Sequence, residues 1–256
     1  FMHDLLDDDV SQAQTRKVMA SLRAALAEAI EREWIEVNVA ADVKLRRGRR
    51  TSQRDKIIPT KEEIRLIMER APENHRALFI TAILTGMRIS ELRGLAWEAV
   101  DFERRIISVR QRADAYGAIG APKSRAGFRD IPMAPTVQRT LEDWRDRGPV
   151  SDLGLVFPNA NGKPQNYANI YNRVFRPMMV ELGIVDENGD PKFGIHALRH
   201  AAASLFIEQG WNPKQIQTLL GHASITMTMD VYGHLFDNAE EAVAMFEKME
   251  KDLMAA

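Results

Sequence analysis

His196-Ala-Leu-Arg199-His200, then Leu219-Leu-Gly-His222, then Tyr232 follow one another over fewer than 40 residues in the last third of this chain. The same stretch sets the local fold. Asn212-Pro213-Lys-Gln215 combines an N-cap asparagine with a proline at the first helical position. Helices are therefore expected over 196–208, 213–220 and 224–231. Arg199 lies three residues after His196, so both side chains occupy one face of their helix.

Working outward, Thr85-Gly86-Met87-Arg88 places a second arginine just after a helix-stopping glycine, where its guanidinium projects from a bend. Two arginines converging on one phosphate would neutralise it through bidentate, charge-assisted bonds. Tyr232 is a candidate nucleophile that needs activation. At an unperturbed pKa of about 10, only about one part in a thousand is phenolate at pH 7. A histidine general base answers that need, and His196 and His222 are the candidates. His200, four residues after His196, is expected to support it or to pack in the core, and His234 the same. Lys123, in the Gly-rich loop Ala-Pro-Lys-Ser-Arg, is placed to reach the site from a mobile hairpin and protonate a leaving oxygen. Together these groups suit covalent attack on a phosphodiester.

Other chemistries fit less well. The four histidines suggest zinc, but no H-E-x-x-H occurs, no acidic residue is interleaved at ligand spacing, and two arginines would repel the ion. Asp7, Asp8 and Asp9 read as complements to a helix dipole rather than a metal cluster. There is neither a Walker A loop nor G-x-G-x-x-G, so ATP and NAD chemistry are not indicated. A phosphotyrosine ester conserves the energy of the broken bond, so rejoining needs no cofactor.

The 256 residues suit one large domain, or a medium one with a small one, and the 45% hydrophobic content suffices for a core. No stretch approaches a membrane span. The start at Phe1 lacks signal-peptide character and reads as a piece of a longer chain. The absence of cysteine excludes disulfides and fits a cytoplasmic protein. A net charge of −1 is not the usual footprint of a nucleic-acid binder, but its distribution differs. Residues 44–56 carry seven basic side chains against Asp55, a local +6 that leaves −7 on the rest. Lys44, Arg46, Arg47, Arg49, Arg50 and Arg54 can track a phosphate backbone, or form a solvated linker.

The rest of the chain reads as mainly α with a small antiparallel sheet. An amphipathic helix over 11–33 starts at Ser11, with Val18, Leu22, Leu26 and Ile30 recurring at three- and four-residue steps. Thr60 and Glu63 form a capping box. A helix over 75–85 stops at Gly86, and Ser90 is read as the cap of the next, through Leu95. Arg105–Arg110, Arg129–Pro132 and Leu155–Phe157 have strand character. Further helices are expected over 135–146, 166–182 and 239–254. Trp97, Trp144 and Trp211 are assigned to packing. The domain boundaries expected are 1–45, a basic linker 46–57, and 58–256.

At this point the residues resemble the tyrosine recombinase, or phage integrase, family over about 58–240. Thr-Gly-Met-Arg88-Ile-Ser-Glu91-Leu is similar to its first arginine motif, His196-x-x-Arg199-His200 to its H-x-x-R box, and Leu-Leu-Gly-His222 to its second histidine. Tyr232 follows where its nucleophile stands. Lys123, followed by Arg129-Asp-Ile-Pro132, is similar to its hairpin lysine. The resemblance implies a helical catalytic domain that cuts and rejoins DNA without metal or ATP. In it, Arg88 and Arg199 hold the scissile phosphate and Tyr232 forms a 3′-phosphotyrosyl link. Lys123 protonates the 5′-oxygen, and His196 and His222 assist. It further implies double-stranded DNA as partner, clamped with the basic linker alongside the duplex. Assembly as a tetramer follows, with accessory DNA-bending proteins as candidate partners. Residues 1–45 resemble the last helices of the family's core-binding domain, and the final helix would pack on a neighbouring subunit or on its own domain. Alternatives left open are a type IB topoisomerase, a catalytically silent DNA-binding protein and a metal-dependent nuclease.

Overall fold

The computed structural model describes residues 1–7, 10–43 and 57–236, and the chain forms two units, Phe1–Asp55 and Lys56–Ala256. Asp8, Asp9, the basic residues Lys44, Arg46, Arg47, Arg49, Arg50 and Arg54, and the helix expected over 239–254 lie outside the described residues, as do the side chains of Asp7 and His234. No described helix is long and apolar enough to cross a membrane.

In the first unit a short helix α1 (Met2–Asp7) precedes α2 (Gln12–Glu31). Ser11 caps α2 as expected, its hydroxyl accepting from the Gln14 N–H. The chain after α2 folds back onto it: the Asn38 amide donates to the Arg23 carbonyl at 3.0 Å, and Arg23 Nε donates to the Ala40 carbonyl at 2.9 Å. An asparagine and an arginine thus fasten this turn beside the buried Met19 and Ala40.

The second unit opens with α3 (Lys61–Arg70), whose predicted capping box is present: Thr60 accepts from the Glu63 N–H while the Glu63 carboxylate accepts from the Thr60 N–H. Next comes α4 (Glu73–Thr85), the central helix. Ala77 through Ala82, then Ile83 and Thr85, are all buried, so α4 lacks a polar face and packs against α3, α6 (Pro135–Arg147) and α9 (Ala197–Glu208). Each fully buried Leu, Ile or Phe there contributes roughly 1.5–3 kcal/mol. Gly86 ends α4 at φ 64°. A side chain is doubly excluded, because a Cβ would also stand 2.7 Å from Leu220 Cδ2.

After α5 (Ile89–Arg93) a three-stranded antiparallel sheet forms from β1 (Val100–Asp101), β2 (Ile106–Val109) and β5 (Arg129–Pro132), in the order β1-β2-β5. Ile107 faces Val100 on one side and Ile131 on the other. The small hairpin β3 (Arg112–Ala113) and β4 (Ile119–Gly120) interrupts the connection to β5. The last part is helical: α7 (Tyr167–Ile170), α8 (Arg176–Glu181), α9, α10 (Pro213–Leu220) and α11 (Ile225–Tyr232).

Three expectations need correction. Ser90 lies inside α5, whose cap is Arg88, because the Glu91 carboxylate accepts from the Arg88 N–H at 2.9 Å. Leu155–Phe157 is buried but not a strand. Leu155 makes a single bridge to Ala96, and the Val156 carbonyl is taken at 2.6 Å by the Trp144 indole rather than by a neighbouring strand. The helix expected over 166–182 contains a π turn at Tyr171–Phe175. Pro177 follows directly, and proline in a helix interior has no N–H to give and crowds the carbonyl four residues back.

Candidate active site

Three consecutive carbonyls at the end of α10 collect three guanidinium groups. Arg129 Nε donates to the Leu219 carbonyl at 2.6 Å, Arg199 Nη2 donates to the Leu220 carbonyl, and Arg88 Nη2 donates to the Gly221 carbonyl at 2.9 Å. Leu219 and Leu220 are the last residues of the helix and Gly221 is its cap. Carbonyls at a helix end lack partners within the helix and carry the negative end of its dipole, so they draw cations. Gly221 must be glycine: its φ is 63°, and a Cβ would stand 2.7 Å from the Ala126 carbonyl oxygen.

Arg199 is also held by the Gly86 carbonyl at 2.6 Å, so the glycine that ends α4 presents the acceptor that aims the H-x-x-R arginine. Arg88 and Arg129 share one carboxylate. Glu91 accepts from Arg88 Nη1 at 2.8 Å and from both η nitrogens of Arg129, at 3.1 and 2.8 Å. Burial pushes the Glu91 carboxyl up, but the hydrogen bonds and charge of Arg129, joined by Arg88, outweigh it and hold the pKa below its ordinary value. Among the described residues Glu91 is the one carboxylate hydrogen-bonded to any of the three arginines, taking Arg88 and Arg129 while Arg199 donates to carbonyls alone, so one negative charge faces three positive ones. Burial first, then the Arg88 charge, pull Arg199 down to about 9.

His222 follows the cap of α10 and is buried, its Nδ1 2.9 Å from the Thr228 hydroxyl. Burial, reinforced by Arg199, Arg88, Arg129 and His196, lowers its pKa to about 3, so at neutral pH it is an uncharged imidazole. Free histidine titrates near 6.5, so between about 6.5 and about 3 the unfolded chain takes up a proton that the folded one refuses. Stability is therefore expected to fall as pH drops through that window. Urea unfolding of wild type and His222→Gln should show a shallower fall for the variant. Parallel curves would remove His222 as the source.

Tyr232 ends α11 and is 1% exposed. Burial raises its phenol to about 12, against the opposing pull of Arg199. The histidine hydrogen-bonded to it is His200, whose Nδ1 lies 2.6 Å from the phenol oxygen. His200 therefore does more than support His196, which is exposed and stands edge-on to the His200 ring with centroids 5.0 Å apart.

The structure thus gathers Arg88, Arg199, His222 and Tyr232 around the end of α10, with His196 beside them. Lys123 is exposed in the loop between β4 and β5, and among the described residues the hydrogen bonds and ion pairs of the cluster do not include it. The base of its loop is fixed, because the Gly127 carbonyl accepts from Arg129 Nη1 at 3.0 Å. Glu91, Arg129, Thr228 and the contact of His200 with Tyr232 went unread as parts of the site. Arg129 had a usable signal: two residues before Ile131 on one strand, it must share the buried sheet face. Among the described residues, no three His, Asp or Glu side chains are grouped to hold a metal ion.

The arrangement offers a cluster of cations with a buried phenol hydroxyl near Arg199, suited to an anionic ester. The phage integrase family model matches residues 58–239. The transposase from transposon Tn916 of Enterococcus faecalis is 30% identical over 185 residues, covering 67% of this chain and 45% of that protein. The ICEBs1 integrase of Bacillus subtilis is 24% identical over 252 residues, covering 95% and 67%. Among solved structures, the Tn1549 transposon integrase in complex with transposon right end DNA superposes with a TM-score of 0.76 at 25% identity, covering 97% of this chain and 83% of that one. The chain spans about half the length of the first of these curated relatives. With the motifs, the fold and the match over most of its length in agreement, this chain belongs to the phage integrase family of tyrosine recombinases.

Proposed function

We propose that this chain carries the catalytic centre of a site-specific DNA recombinase or integrase, which cleaves and rejoins strands through a 3′-phosphotyrosyl intermediate. The observation that carries the reading is the gathering of Arg88, Arg129 and Arg199 on three successive carbonyls, with Arg199 within electrostatic reach of the Tyr232 phenol. A phosphodiester bound at the cluster supplies an anion and relieves the Arg88 repulsion that, after burial, depresses Arg199. Its charge grows in the pentacovalent transition state, where preorganised donors act most strongly. Arg88, whose side chain is 32% exposed, is the first cation a ligand meets. Neutral His222 then serves as a hydrogen-bonding group rather than a third charge. Lys123 protonates the leaving 5′-oxygen once its loop closes over bound DNA.

Double-stranded DNA is the substrate in this reading, which places the protein in the cytoplasm. The basic residues Lys44, Arg46, Arg47, Arg49, Arg50 and Arg54 lie beside the duplex, and copies assemble as a tetramer on two sites. The test is to incubate the full-length protein, with chelator, with nicked suicide duplexes taken from the ends of its own element. A protein–DNA band that survives denaturant supports the reading. Cleavage that needs added metal sinks it, and DNA binding with no band moves weight to a silent DNA-binding protein. In the same assay Arg88→Ala or Arg199→Ala should slow adduct formation by about a hundredfold or more, the scale of removing one charge-stabilising donor. A loss under threefold would mean that the arginine does not touch the phosphate.

A further inference from the structure

We infer that His200 is the general base that takes the phenol proton of Tyr232 as the oxygen attacks phosphorus, an inference that rests on the strand-cleavage reading above. The geometry is direct. His200 Nδ1 is 2.6 Å from the phenol oxygen, and the rings are 5.7 Å apart at 60°. A tyrosine 1% exposed cannot hand its proton to bulk water, so the acceptor must belong to the protein. His200 is rigidly mounted for this. It stands on α9 between the buried Arg199 and the buried run Ala201, Ala202 and Ala203, so the helix that aims Arg199 also fixes the imidazole. The need is large as well. At a pKa of about 12, the phenolate population at pH 7 is on the order of one in 10⁵.

The step balances as follows. The bond from phenol oxygen to phosphorus forms and the bond from phosphorus to the 5′-oxygen breaks. The phenol proton passes to Nδ1 of His200, and the 5′-oxygen leaves with a proton from Lys123. In rejoining, the His200 imidazolium returns its proton to the phenol. His196, exposed and edge-on to His200 at 5.0 Å, is the neighbouring ring through which that proton exchanges with solvent.

The test separates a base from an anchor. In His200→Asn the amide oxygen replaces Nδ1 as acceptor but takes no proton at neutral pH. His200→Gln is the second variant should the first unfold. Single-turnover adduct formation is measured on nicked duplex with full-length protein, for wild type and variant, each with tyrosine or a fluorinated tyrosine of lower phenol pKa at position 232. The expected result is a loss of about a hundredfold or more in His200→Asn, within the span of general-base catalysis, with unchanged DNA binding. Fluorination should restore much of that loss in the variant and change wild type little. A rate within threefold of wild type overturns the inference. So does a slow variant that fluorination leaves equally slow, because His200 would then only hold the ring. A wild-type protein that binds DNA yet forms no adduct sinks the strand-cleavage reading itself, a result distinct from either.

Discussion

Tyr232→Phe is expected to bind the same duplex as wild type and to form no denaturant-resistant adduct at all. The substitution removes one oxygen. The ring keeps its place against Ala203, Ile216 and Leu220, so the packing that positions α11 survives. The structural cost is the single hydrogen bond to His200, a net loss of about 1 kcal/mol. The chemical cost is complete, because no other hydroxyl replaces the one that attacks. Gel analysis of the suicide-substrate reaction reads the outcome, with a binding titration as control. An adduct formed by the variant would reassign the nucleophile.

Arg129→Met is expected to lower folding stability by about 3–5 kcal/mol, the usual cost of removing one partner from a buried ion pair. Both side chains of the pair are 3% exposed, and Arg129 also holds the Leu219 and Gly127 carbonyls. Two effects oppose each other. Removing a cation relieves the repulsion felt by Arg199 and His222, but that repulsion acts at longer range than the two bonds to Glu91, at 2.8 and 3.1 Å. The contact pair therefore decides the sign. Urea unfolding measures the loss, which falls on the two bonds to Glu91 and on the carbonyls Arg129 holds, because Glu91 keeps its bond from Arg88 at 2.8 Å. A single-variant loss under 1 kcal/mol would show that water reaches Glu91.

The parts legible in the sequence were those governed by local chemistry. Thr60 with Glu63, Ser11, Gly86 and the Asn212-Pro213 start of α10 each specify an element boundary within a few residues, and each is found where the sequence puts it. Arg88, Arg199, His222 and Tyr232 were legible as a set because their order and spacing suit one chemistry. What escaped was settled by distant partners. Leu155–Phe157 pairs through one bridge to Ala96, and its Val156 carbonyl goes to an indole 12 residues away. The tyrosine's histidine was read as His196 or His222, because one turn of helix cannot be resolved by spacing. His200 reaches Tyr232 only through the way α9 and α11 pack. Arg129 stands in a segment of strand character, and its partner Glu91 lies 38 residues away.

The collection of three arginines by three successive carbonyls makes the site a property of backbone register rather than of side-chain identity. Leu219 and Leu220 can exchange for other apolar residues without altering what their carbonyls offer. A single residue inserted or deleted within α10 is another matter. It turns every later carbonyl by about 100° about the helix axis, so Arg129, Arg199 and Arg88 would lose their acceptors together. The segment Pro213–Gly221 is thus forgiving of substitution and intolerant of any change in length.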